Sequence, residues 1–276
     1  MCVDFSNSIL RDDYCCVVLA TDRWIYLDLE KTGCTFLRST LRVVCGHQAF
    51  WEDRKHSLQE SASPLPKLMT VREPTAYYFS LWSYGLGRKG GLRWAIEALD
   101  QSLASRMYGS ADRQSFSWFL DYVLHSSVRY PSASRYDWLP LCCDLYTARL
   151  LSMIVPVSAR PEFLSSLAGN FSAESFIVSS RPYWPDVLLR TTSLNADFHA
   201  LASADVLGFL DLREDWDVFF PLDAAPLNQS ALSSRLDQCR DEYWTDDWLD
   251  LVGRKCAVPL RLCEIASRAV NEAVLT

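Results

Sequence analysis

The chain has 276 residues, 49% of them hydrophobic, enough for a sizeable core in a single domain over 1–276. Its formal net charge of −7 stands against a nucleic-acid partner and against a highly anionic polymer as substrate, both of which call for a basic excess. No apolar run reaches the roughly 18 residues of a transmembrane helix, and MCVDFSNSILRDDYCCVVLA has acids before its short apolar run and no basic start, so a cytoplasmic protein is expected.

In chain order, the runs at 15–20 and 24–29 are β-branched or aromatic and separated by Asp22-Arg23, which predicts two strands and a hairpin. Phe36, Leu37, Leu41, Val44 and Cys45 recur at helical spacing over 34–45, with Gly46 as terminator. Residues 61–67 read as a loop and 68–71 as a strand, after which Pro74 opens a helix. Further helices are expected near 92–106, 112–126, 159–168, 197–206, 229–251 and 259–273, with one late strand at 150–157. The pattern gives an α/β class: a small parallel sheet flanked by helices, with a helix-rich C-terminal half.

Ten cysteines occur without any C-x-x-C pair, so buried free thiols are expected rather than a metal site. His47, His56, His125 and His199 show no metal-ligand spacing. The N-x-S sequons at Asn170 and Asn228 are taken as chance in the absence of a secretory signal. There is no G-x-S-x-G elbow for a serine hydrolase. Gly85-Leu86-Gly87-Arg88-Lys89-Gly90 satisfies G-x-G-x-x-G, but it follows a helix rather than a strand and is read as a loop between helices.

Two segments carry the chemistry. LDLEKTGCTFLRSTL (27–41) places Gly33-Cys34-Thr35 where a strand becomes a helix. The first turn of a helix presents backbone N–H groups and the positive end of the dipole, which suits phosphate or sulfate. Gly33 permits close approach, Thr35 offers a hydroxyl and Lys31 a mobile charge, although an ordinary strand–helix junction with a surface lysine fits the same spacing. In VREPTAYYFSLWSYG (71–85), Arg72 ends a strand and Ser80 follows within the next helix. An arginine grips phosphate bidentately and a serine hydroxyl adds a bond, while a capping arginine and a solvent-facing serine are the alternative.

Together these segments resemble the sulfotransferases that use 3′-phosphoadenosine 5′-phosphosulfate (PAPS), and among them the carbohydrate sulfotransferases, Golgi-type and bacterial. EKTGCTFLR (30–38) matches P-K-x-G/A-C-T-x-x-K/R at Lys31, Gly33, Cys34, Thr35 and Arg38. REPTAYYFS (72–80) matches R-D-P-x-x-R-x-x-S at Arg72, Pro74 and Ser80. The resemblance implies a P-loop-like sulfotransferase fold. It assigns the 5′-phosphosulfate to Lys31, Thr32, Gly33, Cys34, Thr35, Phe36 and Arg38, and the 3′-phosphate to Arg72 and Ser80. Glu30 stands where proline is usual and Tyr77 where the second arginine is usual. Fainter matches follow in order at Trp138 and Pro140, at Asn228 and Ser230, and at Asp247-Trp248, with Asp137 in the place of a histidine.

The implied reaction moves a sulfuryl group from PAPS to an acceptor hydroxyl, of a carbohydrate or glycoconjugate by resemblance, with no metal required. Lys31 is the candidate to stabilise the leaving group. Asp137 is the first candidate for general base and His125 the second, with His47 and Glu30 as outsiders. Two other classes stay open: a non-catalytic nucleotide-binding protein of the same fold, and a phosphotransferase using a nucleotide triphosphate with magnesium.

Overall fold

The computed structural model describes residues 17–45, 51–52, 63–125, 138–139, 143–222, 236 and 238–274. Strands β1 (Val17–Ala20) and β2 (Ile25–Asp28) pair antiparallel, from Val17 opposite Asp28 to Ala20 opposite Ile25. The turn between them is built by Thr21, whose Oγ1 accepts from the backbone N–H of Arg23 and of Trp24 at 3.1 and 3.2 Å, a local hydroxyl turn. Strand β3 (Trp51–Glu52) pairs antiparallel with β1, β4 (Lys67–Val71) pairs parallel with β2, and β5 (Val187–Arg190) pairs parallel with β4. The order is β3-β1-β2-β4-β5.

The helices follow as α1 (Cys34–Val44), α2 (Pro74–Leu86), α3 (Gly91–Leu99), α4 (Gln101–Tyr108), α5 (Arg113–His125), α6 (Leu145–Ile154), α7 (Arg160–Ser166), α8 (Ala173–Ser180), α9 (Leu194–Ser203), α10 (Trp216–Phe219), α11 (Asp246–Lys255) and α12 (Ala257–Val274). Side chains alternate across the strands. Ile25, Leu27, Met69, Val71 and Leu188 join a core with α2 to α6, while Tyr26, Leu68, Val187 and Leu189 join a second core with α1 and α9. Covered on both faces, these strands read as continuous apolar runs rather than as alternating ones. Helix α12 packs along β5 and against α6, α8 and α9.

The α/β class holds, but the sheet is mixed rather than parallel. The short Thr21–Trp24 turn sends β2 back beside β1, and only antiparallel neighbours can be joined so tightly. The run at 150–157, expected as a strand, lies mostly in α6, and Asp144 starts that helix by accepting from the N–H of Tyr146 and of Thr147, each at 3.0 Å. All ten α6 residues are buried, and a helix buried all round carries the same unbroken apolar run as a core strand. The expected helix 92–106 is two helices, broken at Asp100, whose side chain accepts from Leu103 N–H at 2.9 Å and caps α4. Over the described part of the expected helix 229–251, Leu236 is helical, a 3₁₀ turn follows at 240–243, and α11, which Thr245 caps, begins at Asp246. Gly46 and most of 126–142 lie outside the described residues. Among the described residues no helix is long and apolar enough to cross a membrane.

Candidate anion-binding site

The carboxyl ends of the three parallel strands β2, β4 and β5 lead into the turn 29–33, into Arg72 and into Thr191. That edge of an open α/β sheet is where ligands bind in this class of architecture. The turn leaves β2 through Leu29 and Glu30, reverses at Lys31 and Gly33, and enters α1. Lys31 has φ +67° and Gly33 φ +84°. A left-handed lysine is uncommon and marks a position held by its surroundings.

Thr32, between them, is fully buried. Its Oγ1 donates to Leu29 O at 2.7 Å and lies 2.7 Å from Thr70 Oγ1 on β4, which is itself 3.2 Å from Tyr26 OH on β2. Burial, with Asp28 close by, lifts the Tyr26 phenol well above its usual range, so its hydroxyl stays protonated. Thr191 closes the turn from the other side: its hydroxyl reaches Thr32 O at 2.8 Å and Val71 O at 3.0 Å. Thr191 is held at the end of β5 by Arg190, which grips the fully buried Asp197 through Nε and Nη2 at 2.9 and 2.7 Å.

The helical ladder of α1 begins at Leu37 N–H to Gly33 O, 3.1 Å, so the amides of its first turn precede it. No side chain caps that turn and no acid lies in it. Lys31 sits at its mouth with Nζ 2.9 Å from the centroid of the Tyr84 ring on α2, a cation–π contact. Arg72 brings the second segment to the first, since its Nη1 donates to Lys31 O at 3.2 Å. Ser80 and Tyr84 are four residues apart on α2 and so share one face. The Arg72 bond to the Lys31 carbonyl brings these two residues together at one edge of the sheet, and Ser80 lies one helical turn before Tyr84, the ring that Lys31 touches.

The remaining sequence-predicted residues divide. Thr35 is exposed at the α1 N-terminus, and Arg38 is half-buried one turn on. Cys34 is buried, and Phe36 lies against Phe220 with centroids 5.4 Å apart. With Thr32 turned into the interior, Thr32, Cys34 and Phe36 can meet an anion only through the backbone. His125 ends α5, with Nδ1 2.9 Å from Asp121 and its ring 6.0 Å from Trp248. Trp138 donates to Ser152 Oγ at 3.1 Å and packs edge-on to Phe163, a structural anchor on α6 and α7. Asp137, Pro140, Asn228, Ser230 and His47 lie outside the described residues.

The two departures from the family pattern are occupied by one partner. Glu30 Oε2 pairs with Arg149 Nη1 at 2.8 Å, and the same Nη1 donates to Tyr77 OH at 3.0 Å. Sequence reasoning missed Arg149, Tyr146, Thr191 and Tyr84. Only Arg149 left a signal, as the one charge within the apolar run of α6. No family model, curated protein or solved structure matches the chain.

Proposed function

We propose that the protein is a sulfotransferase of P-loop-like fold that moves a sulfuryl group from PAPS to an acceptor hydroxyl of a carbohydrate or glycoconjugate. The observation that carries this reading is the Arg72 Nη1 bond to Lys31 O, which joins the two candidate segments although they are far apart in the sequence. The residues suit such a donor: an uncapped helix N-terminus, a glycine that admits close approach, and two cations with a hydroxyl at one sheet edge. Lys31, Gly33, Thr35 and the backbone of 34–36 would hold the 5′-phosphosulfate, with Arg38 one turn on, and Arg72 and Ser80 the 3′-phosphate. When bound, PAPS supplies an activated sulfuryl group. Lys31 would be the cation that stabilises the charge developing at the leaving oxygen. Asp137 and His125 are the candidates to take the acceptor proton.

Calorimetry with adenosine 3′,5′-bisphosphate in the absence of metal tests the reading, and Lys31→Ala and Arg72→Ala are expected to lose that binding. Preference for ATP with magnesium would refute it. A screen with radiolabelled PAPS over mixed acceptors then tests transfer, and Asp137→Asn and His125→Gln identify the base. One observation favours a second reading, a non-catalytic nucleotide-binding protein: Tyr77 is fully buried, so the position of the motif's second arginine is closed to a phosphate. Tight bisphosphate binding without transfer to any acceptor would decide for it.

A further inference from the structure

Arg149 is a guanidinium with its side chain only 3% exposed, paired with a Glu30 carboxylate that is 10% exposed. Removing two charges from water is costly, and apolar residues of similar volume often replace such a pair without loss of stability. Burial of this pair therefore asks for a reason other than stability, and its neighbours supply one. Tyr77, which accepts from Arg149, stacks on Tyr146 with centroids 3.8 Å apart and planes at 8°. Tyr146 and Arg149 are three residues apart on α6 and share a face. Tyr146 OH accepts from Arg72 N–H at 3.1 Å and donates to Arg72 O at 2.9 Å. Burial holds this phenol well above its usual range, so it stays a donor. Arg72 then returns to the turn through Lys31 O. The chain of contacts closes on itself: Glu30, Arg149, Tyr77, Tyr146, Arg72, Lys31.

We propose that Arg149 is a positioning residue for the anion site, and that α6 is the brace that sets Lys31 and Arg72 in register. This rests on the reading of 29–38 as the donor loop. It makes the departures at positions 30 and 77 a single change: a buried Glu30 requires Arg149, and a buried arginine at 77 would set a second guanidinium against it. Where the family pattern has an arginine to touch phosphate, this fold has a buried cation that orients the loop from behind.

The test uses the full chain. Arg149→Met alone leaves Glu30 buried and unpaired and is expected to unfold readily, so the informative variant is Glu30→Met/Arg149→Met, with Tyr146→Phe as a second that removes only a hydroxyl. Hydrogen exchange of the ligand-free protein reads the brace directly. The amides of Thr32 and Leu37, which donate to Leu29 O and Gly33 O, are expected to exchange about tenfold faster in both variants, with the interior of α5 unchanged, and the bisphosphate dissociation constant to rise about tenfold. Arg149→Lys, which keeps the charge but not the fork, should recover part of both. Wild-type exchange and wild-type affinity in the double variant, or in Tyr146→Phe where the double variant does not fold, would overturn the proposal. If the wild-type chain binds no bisphosphate, the sulfotransferase reading falls, and the exchange comparison alone decides the role of Arg149.

Discussion

Thr191→Val tests whether the three strand ends are one unit. The substitution keeps the shape of the side chain and removes one hydroxyl, whose single proton is shared between Thr32 O at 2.8 Å and Val71 O at 3.0 Å. A hydrogen bond of this kind contributes about 1 kcal/mol net, and leaving partly buried carbonyls without it raises the cost to roughly 1–2 kcal/mol. For a chain of this size each kcal/mol lowers the unfolding midpoint by about 2–4 °C. Packing is preserved, because valine keeps the γ-methyl that Thr191 turns towards Gly33. Urea unfolding gives the global loss, and amide exchange at Thr32 and Leu37, which donate to Leu29 O and Gly33 O, gives the local one, which should exceed that at the centre of α2. Bisphosphate affinity should fall several-fold with it. A stability change below about 0.5 kcal/mol, with unchanged exchange in the turn, would show that Thr191 merely caps β5 and does not tie the turn to it.

Three further outcomes are expected. Gly33→Ala forces a side chain into φ +84° although the nearest atoms are at ordinary contact distance, so it should cost about 1–2 kcal/mol from backbone strain alone, and equal stability in urea would mean that the turn relaxes. Glu73 has its carboxyl raised by burial and then by Glu264. An acid raised in the folded state stabilises below its unfolded value, and that contribution is lost as pH rises through the folded one. Glu73→Gln should therefore gain on the wild type in urea as the pH rises above the ordinary carboxylate range, and parallel profiles would contradict the assignment. Cys45 is fully buried and its thiol is pushed up to about 12 by burial. It should resist iodoacetamide at pH 8 until the chain unfolds, and rapid labelling seen by mass spectrometry in the native protein would refute that burial.

What the sequence made legible was local. The hairpin, α1, β4 and the Pro74 start of α2 follow from short β-branched, aromatic or apolar runs, helical spacing and a proline at the first helical position. The third strand end of the site and the helix behind it were harder. Strand β5, Val187–Arg190, begins just behind Pro185, and no strand was expected there, so Thr191 had no visible place. The LYTARLLSMI of α6 is buried throughout and carries no amphipathic period. A lone arginine in such a run must find a buried partner, and Glu30 is the residue the turn had no other use for. The two were each visible; their pairing depends on how α6 crosses the strand ends, which one sequence does not encode locally.

The turn itself weighs for a functional role. A strand–helix junction that only had to connect would place glycine or asparagine at a left-handed position and an apolar residue at a buried one. Here the left-handed position is Lys31 and the buried one is Glu30, side by side. Each choice costs on the order of 1–3 kcal/mol, by backbone strain in one case and by desolvation in the other. The surroundings over-determine both: Thr32 is tied to Leu29 and Thr70, Thr191 bridges two strand ends, and Arg149 neutralises Glu30. Two locally unfavourable residues in succession, held by three separate elements of the fold, lie where a cation at the mouth of a helix would be most useful. Local rules tend to be broken in this way at sites with a task beyond folding.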